Sequence, residues 1–381
     1  MESVEGLNSW KDVAFYRGKR VFVTGHTGFK GSWLCRMLLD VGAEVTGYSL
    51  QPPAQNLFSQ AGLADVHTVI GDVRDFTMLK KAFDDARPDI VLHLAAQPIV
   101  RESYRDPVAT YSTNVMGTVH VLECVRQSAT VQSVLNVTTD KVYHNNEWAW
   151  GYREADPLDG YDPYSNSKSC SELVTHSYKS SFFADGRVAV STARAGNVIG
   201  GGDYAADRII PDCIRAVTAG KPIMLRHPQS TRPYQHVLEP LFAYLLIAAR
   251  QYEDGCLAGW YNVGPDDCDC VMTEELATMF CNAWGDGARY EIHADGGPHE
   301  ANFLKLDCSK IKQNLGWRPT WHIAEAVRET VAFTRQQLAG GDVAAEMQRE
   351  IRMFLAAQCQ GKEGMSMKTV TLSTRGGHAD L

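Results

Sequence analysis

From Arg20 onward, short runs of β-branched and apolar residues alternate with longer stretches of helical periodicity. This alternation is typical of β-α-β units, whose strands lie parallel in one sheet between two layers of helices. It predicts strands at residues 20–24, 44–48, 67–70, 90–94, 133–137 and 188–193, and helices at 30–40, 75–86, 108–128 and 163–182. We therefore expect an α/β protein with a Rossmann-type, doubly wound parallel sheet.

The pattern weakens after Gly200, where turn residues cluster. We expect residues 18–200 to form the Rossmann domain, with residues 234–264 returning to its sheet. Residues 201–233 and 265–338 would form a smaller C-terminal substrate-binding lobe. Residues 339–381 would form a C-terminal helix and then a tail whose Ser, Gly and Thr content favours disorder.

Composition excludes several classes of protein. The formal net charge is −8 and the basic residues are spread thinly along the 381 residues, which argues against a nucleic-acid or membrane-surface binder. We see neither a signal-peptide pattern nor an apolar stretch long enough to span a bilayer. The ten cysteines form no CxxC pair, so we expect reduced thiols, no structural metal and a cytoplasmic protein.

A glycine-rich turn follows the first strand and opens a helix; it consists of Gly25, His26, Thr27, Gly28, Phe29, Lys30 and Gly31. Its glycine spacing is the variant found in short-chain dehydrogenases. The backbone N–H groups of such a turn bind a pyrophosphate, because the dipole of the following helix favours an anion there. This turn predicts a dinucleotide site.

Further strand ends support this site, with Asp72 and Val73 after the third strand and Leu94, Ala95, Ala96 and Gln97 after the fourth. The Asp72 carboxylate can accept from an adenine amino group, and the small residues let a cofactor lie against the backbone. Residues 47–51, at the end of the second strand, include neither a carboxylate for the ribose hydroxyls nor an arginine for a 2′-phosphate. We predict NAD rather than NADP as the cofactor.

The strongest single motif is DPYSNSK, at residues 162–168. Asp162 can cap a helix that starts at Pro163, and Tyr164 and Lys168 then share one face of that helix. An ammonium group and a helix N-terminus both favour a phenolate, so we expect the pKa of Tyr164 to fall below the ordinary value of about 10. Tyr164 could then remove the proton of a sugar hydroxyl while hydride leaves the same carbon.

The fifth strand ends near Thr139, Asp140 and Lys141, at the sheet edge where ligands bind in such folds. A hydroxyl here can hydrogen-bond the reacting hydroxyl beside the tyrosine. A dehydrogenase or epimerase needs no more than these two groups. A sugar dehydratase also needs a base for the C5 proton and an acid for the departing C6 hydroxyl, and Asp140 and Lys141 could supply both.

With these motifs in place, the chain resembles CDP-glucose 4,6-dehydratases of the extended short-chain dehydrogenase/reductase family, from about residue 18 to residue 335. The resemblance is carried by residues 21–34 (VFVTGHTGFKGSWL), 95–101 (AAQPIVR), 111–118 (YSTNVMGT), 150–154 (WGYRE), 160–168 (GYDPYSNSK), 194–203 (RAGNVIGGGD), 232–240 (RPYQHVLEP) and 299–309 (HEANFLKLDCS). It implies that CDP-glucose and NAD are bound and that CDP-4-keto-6-deoxyglucose is released. It also implies a homodimer that pairs helices 108–128 and 163–182.

The resemblance implies roles for individual residues. Tyr164 would be the base for the C4 hydroxyl, Lys168 would position the nicotinamide ribose, and Thr139 would hold that hydroxyl. Asp140 would be the acid at C6 and Lys141 the base at C5. Asn114 would lie at the cofactor, and the nucleotide diphosphate would be held by Asn197, Arg208, Arg232 and His299.

Two other functions are compatible with the motifs. A nucleotide-sugar 4-epimerase would share the fold, the tyrosine and the lysine, but would need no acid–base pair beside Thr139. A non-enzymatic dinucleotide sensor is disfavoured because Tyr164 and Lys168 are both present.

Overall fold

The computed structural model describes residues 11–293 and 303–373. Its strands are β1 Arg20–Thr24, β2 Glu44–Ser49, β3 His67–Ile70, β4 Ile90–His93, β5 Ser133–Val137, β6 Ala189–Ala195, β7 Val198–Ile199, β8 Ile223–Leu225, β9 Thr231–Pro233, β10 Gln235–His236, β11 Trp260–Val263, β12 Cys270–Met272 and β13 Tyr290–Ile292. Seven of these strands form one parallel sheet in the order β11-β6-β5-β4-β1-β2-β3. The predicted doubly wound fold is confirmed.

The helices are α1 Lys11–Ala14, α2 Phe29–Asp40, α3 Leu57–Gln60, α4 Phe76–Ala86, α5 Val100–Arg105, α6 Pro107–Tyr111, α7 Gly117–Arg126, α8 Pro163–Phe182, α9 Ile209–Thr218, α10 Leu238–Glu253, α11 Thr273–Trp284, α12 Ser309–Leu315, α13 Ile323–Leu338 and α14 Val343–Ser373. A π-helical turn, Ser112–Met116, joins α6 to α7. The helix predicted at 108–128 is therefore interrupted, since apolar periodicity does not reveal a local change of helix type. Within the described part of the chain, no helix is long and apolar enough to cross a membrane.

Strand β1 shows why the sheet is buried on both faces. Val21 and Val23 belong to one apolar cluster, and Phe22, between them, belongs to another on the opposite face. Helices α2 and α10 cover the first face, and α4 and α7 cover the second. The first cluster also takes in Met347 and Phe354, so the C-terminal helix α14 packs against this core.

A third apolar cluster lies outside the sheet and joins α9, α11 and α13, with members such as Ile210, Leu276 and Val327. Strand β11 pairs with β6, at the edge of the main sheet. The division into a Rossmann domain and a smaller lobe stays a prediction, and this separate cluster supports it.

The start of α8 follows the predicted chemistry. The Asp162 carboxylate accepts a hydrogen bond from the Ser165 N–H at 3.0 Å, and Pro163 is the first helical residue. Capping satisfies an N–H group that lacks a partner inside the helix. One turn into this helix, the Lys168 ammonium reaches the carboxyl end of β5, where it donates to the Val137 carbonyl.

Candidate active site

The glycine turn between β1 and α2 is shaped for close contact with a ligand. Gly25 has φ +76°, and a Cβ there would lie 2.8 Å from the Ala95 nitrogen. The helix begins after Gly28, which offers no side chain to cap the first N–H groups. Uncapped N–H groups at a helix N-terminus bind phosphate oxygens, so the turn fits the diphosphate of a dinucleotide.

A cleft of about 1570 Å³ runs from this turn along the carboxyl edge of the sheet. Most of the predicted cofactor residues line it, namely Gly25, Thr27, Gly28, Phe29, Lys30, Gly31, Asp72, Val73, Leu94, Ala95 and Ala96. The volume exceeds that of a typical small-molecule pocket, which suits two large ligands side by side.

Three predicted cofactor residues lie behind the cleft wall. The buried His26 ring packs against Gly47 and Phe58, and its Nε2 lies 3.2 Å from the Thr68 hydroxyl. The buried side-chain amide of Asn114 accepts a hydrogen bond from the Gln97 N–H and donates one to the Gln97 carbonyl. His26, Gln97 and Asn114 are not among the residues that line the cleft, so their contact with the cofactor stays a prediction.

Asp72 is predicted to accept from an adenine amino group. Its carboxylate receives hydrogen bonds from the backbone N–H and the guanidinium of Arg74, with an ion-pair distance of 2.5 Å. These bonds lower the pKa of Asp72, although burial opposes them. The carboxylate is therefore charged at neutral pH and shares its oxygens with Arg74.

The catalytic motif residues converge where β5 meets α8. The Thr139 hydroxyl lies near enough to the Tyr164 phenol to lower the pKa of that phenol. The Lys168 ammonium donates to the Val137 carbonyl at 3.0 Å. Thr139, Tyr164 and Lys168 are all buried and all line the cleft.

The ionisation of Tyr164 differs from the expectation. Burial raises the pKa of Tyr164 to about 12, the Thr139 hydrogen bond lowers it, and the Asp140 charge raises it further. Burial also lowers the pKa of Lys168 to about 8. The expected fall in the tyrosine pKa was wrong for this structure, because desolvation of the phenolate outweighs the nearby positive charges.

Asp140 and Lys141 follow Thr139 in a short 3₁₀ turn, Asp140–Val142. The Asp140 carboxylate is buried, accepts from the Thr139 hydroxyl at 3.0 Å, and lies 3.6 Å from the Lys141 ammonium. Its second oxygen has no hydrogen-bond partner among the described residues. Lys141 lines the cleft, whereas Asp140 lies directly behind it.

The residues predicted to hold the substrate diphosphate lie further along the same cleft. Asn197 accepts a hydrogen bond from Lys141 at 3.2 Å, and Arg208 pairs with Asp203 at 3.0 Å. Arg232 is buried and donates to the Thr231 carbonyl at 3.0 Å. These three residues line the cleft, and His299 lies outside the described residues.

Two features of the site were missed in the sequence. Gly196 makes room for Asp140, because a Cβ at Gly196 would approach the carboxylate to 3.2 Å. A fully buried ion pair joins Glu172 on α8 to Arg194 on β6 at 2.8 Å. The glutamate stands one turn beyond Lys168, and this spacing is the sequence signal that could have found it.

No structural metal is predicted, and this remains an expectation. In the part of the chain that the structure describes, Cys268, Asp269 and His322 bring potential ligand atoms within 4.8 Å of one another. The Asp269 carboxylate already accepts from His322 Nδ1 and the Ile323 N–H. These bonds hold the start of α13, which is a sufficient structural role for the group.

Similarity to known proteins agrees with this geometry. Residues 22–330 match the family model described as GDP-mannose 4,6 dehydratase. The chain is 47% identical over 355 residues to the CDP-glucose 4,6-dehydratase of Salmonella typhimurium, a match that covers 91% of this chain and 99% of the relative. A probable dTDP-glucose 4,6-dehydratase of Sinorhizobium fredii is 28% identical, over 82% of this chain and 92% of that protein.

Solved structures share the fold. A dTDP-glucose 4,6-dehydratase from Streptomyces venezuelae with NAD bound has a TM-score of 0.72 and 25% identity, covering 85% of this chain and 99% of that one. A UDP-glucose 4-epimerase from Thermus thermophilus in complex with NAD has a TM-score of 0.70 and 26% identity, covering 82% and 98%. The chain therefore belongs to the GDP-mannose 4,6-dehydratase family, among the extended short-chain dehydrogenases/reductases that its motifs resemble.

Proposed function

We propose that this protein is an NAD-dependent lyase that converts CDP-glucose to CDP-4-keto-6-deoxyglucose, a step of deoxysugar biosynthesis. The observation that carries the proposal is the buried contact of Thr139 with Tyr164 beside the Asp140–Lys141 pair. It occurs in a chain that is 47% identical to a CDP-glucose 4,6-dehydratase. Asp140 and Lys141 favour dehydration over 4-epimerisation, which needs no such pair.

Each residue at the end of β5 has a distinct task in this proposal. Tyr164 accepts the proton of the C4 hydroxyl, which Thr139 holds by a hydrogen bond. Lys141 first passes a proton to the neighbouring Asp140 carboxylate. The neutral Lys141 amine then removes the C5 proton, which the neighbouring C4 ketone acidifies, and Asp140 gives its proton to the departing C6 hydroxyl, so that the ion pair is restored. Bound NAD supplies the acceptor and then the donor of the hydride that moves from C4 to C6. The sum is the loss of one water without net oxidation.

The cofactor would be held by groups that the structure places along the cleft. The glycine turn and the uncapped start of α2 fit the diphosphate. Lys168 would hold the nicotinamide ribose, and its positive charge would favour the Tyr164 phenolate. Arg208 and Arg232 would bind the diphosphate of the sugar nucleotide.

The decisive experiment is turnover with NAD against CDP-, dTDP-, UDP- and GDP-glucose and their C4 epimers. We expect CDP-glucose to give a 4-keto-6-deoxy sugar, recognised by its absorbance in alkali and by a mass loss of one water. Conversion to the C4 epimer without loss of water would instead establish a 4-epimerase. Preference for another nucleotide would refute the substrate assignment and leave the dehydratase assignment intact.

We also propose that the enzyme is a homodimer in the cytoplasm. Helices α6 to α8 expose apolar side chains, among them Val108, Leu173 and Phe182, as a surface between two copies would require. Leu173→Glu should lower the molar mass measured by light scattering from two chains to one. The nine cysteines whose side chains the structure describes are free thiols, which suits a reducing compartment.

A further inference from the structure

Three successive residues at the end of β5 are each tied to helix α8. The Thr139 hydroxyl lies near the Tyr164 phenol and lowers its pKa, and the Val137 carbonyl accepts a hydrogen bond from the Lys168 ammonium at 3.0 Å. Between them, the Thr138 hydroxyl donates to the Glu172 carboxylate at 2.5 Å. Tyr164, Lys168 and Glu172 follow one another at intervals of four residues, so they form one face of α8. The proposed function uses the first two and leaves Glu172 without a task.

The Glu172 carboxylate is fully buried and fully engaged. Its other oxygen accepts from the Thr192 hydroxyl and from Arg194, both at 2.8 Å, and lies 3.4 Å from His176 Nε2. Burial raises the pKa of Glu172, but Arg194 and the hydrogen bonds lower it further, to about 2. Glu172 therefore carries a negative charge throughout the physiological pH range.

The ionisable groups that face Lys168 differ in charge. His93 at the end of β4 is one of these groups. Burial lowers the pKa of His93 to about 3, so its ring is neutral. From α2 comes Lys30, a like charge. Burial lowers the pKa of Lys168 to about 8, and the charge of Glu172 is what opposes this fall. Arg194, Thr192, Thr138 and His176 are the polar groups that in turn face Glu172.

We propose that Glu172 is a positioning residue, which anchors Thr138 so that Thr139 stays against Tyr164 and places a negative charge one helical turn from the Lys168 ammonium. Arg194 extends the arrangement, since it also donates to the Tyr143 hydroxyl at 2.9 Å, just beyond the Asp140–Lys141 pair. The turnover assay of this inference rests on the proposed function. A titration of NAD binding does not.

The first measurement is the pH dependence of kcat with CDP-glucose. In the wild type, the alkaline limb should fall with a midpoint near the Lys168 pKa of about 8. Glu172→Gln should lower kcat about 10- to 100-fold through misplacement of the β5 end. It should also move the alkaline limb about one pH unit lower, because the ammonium loses its counter-charge. Glu239→Gln is the control, as it changes a buried carboxyl on α10, away from α8.

The second measurement is NAD affinity against pH by calorimetry, without a sugar nucleotide. Glu172→Gln should move the alkaline loss of affinity by the same amount as the kinetic limb. If the wild type does not act on CDP-glucose, the proposed function fails, and this titration still decides the role of Glu172.

Three further variants guard against misfolding and separate the anchoring of Thr138 from the effect of the Glu172 charge. Glu172→Gln leaves the Arg194 charge buried, so Glu172→Gln with Arg194→Met removes both charges and should fold while keeping the shifted limb. Thr138→Val should lower kcat, whereas Thr138→Ser, which keeps the donor, should restore it. If a folded Glu172→Gln variant has the kcat of the wild type and the same alkaline limb of its pH profile, the inference is wrong. A lower kcat with unmoved limbs would also overturn it, because that result describes a purely structural residue.

Discussion

Two replacements of Lys141, by alanine and by arginine, separate its role as a base from its positive charge. The Lys141 ammonium lies 3.6 Å from the buried Asp140 carboxylate and 3.2 Å from the Asn197 amide oxygen. Lys141→Ala therefore removes a base and also strips a buried carboxylate of its counter-charge. Because the lysine is about one quarter exposed, we expect the second effect to cost about 1–2 kcal/mol of stability, less than the 3–5 kcal/mol of a fully buried pair.

Lys141→Arg is the matched variant. It keeps a positive charge beside Asp140 but provides no base, since a guanidinium does not lose its proton in proteins. Loss of a general base slows a reaction about 10²- to 10⁴-fold, which corresponds to about 3–5 kcal/mol in the barrier. Both variants should therefore lose dehydration, and only Lys141→Ala should lose stability.

The assay follows the reaction in two parts. C4 oxidation should persist in both variants, seen as accumulating absorbance of the reduced dinucleotide when CDP-glucose is added. Exchange of the C5 hydrogen with solvent deuterium, followed by mass spectrometry, should disappear. If either variant exchanges C5 hydrogen and releases product at the wild-type rate, Lys141 is not the base.

Three other results should follow from the structure. Gly25→Ala should weaken NAD binding and destabilise the fold by more than the ~1–2 kcal/mol that a left-handed φ costs, because its Cβ would meet Ala95. Gly220→Ala is the control, since Gly220 has φ +67° in open space, and chemical denaturation should show only the cost of the backbone strain. Tyr164→Phe should abolish turnover yet leave NAD binding by calorimetry, and undiminished turnover would contradict its role as base. Burial raises the pKa of Glu239 from 4.5 to about 8. The stability that this group contributes is therefore present below pH 4.5 and is lost as the pH rises to about 8. In Glu239→Gln, the free energy of unfolding should depend less on pH across that window.

The fold followed from local signals that tertiary contacts did not override. Strand runs such as residues 133–137 are apolar on both faces, and the cap at Asp162 is formed as the sequence predicts. The π-helical turn at Ser112–Met116 was not predicted, because apolar periodicity does not reveal a local change of helix type.

The convergence of the motif residues on one cleft was predictable, and their electrostatics were less so. Spacing along α8 places Tyr164 beside the end of β5, because both ends of that contact are fixed by short-range structure. The pKa of Tyr164 depends on how many atoms bury it, which spacing does not encode. Asn114 shows the same limit, because its amide is turned toward Gln97 by the packing around it.

The net charge of the chain does not describe the charge inside its cleft. The chain carries a net charge of −8, which argues against binding a nucleic acid. Its cleft nevertheless gathers Lys30, Lys141, Lys168, Arg208 and Arg232, and mutual repulsion is among the causes that lower the pKa of Lys30 to about 7, after burial. Since salt screens charges beyond about 8–10 Å, a ligand in the cleft senses the charges that line it more than the distant acidic surface. Carboxylates also line the cleft, among them Asp72 and Asp203, and these two are ion-paired with Arg74 and Arg208. A net charge of −8 is therefore compatible with local cations that favour an anion such as a diphosphate.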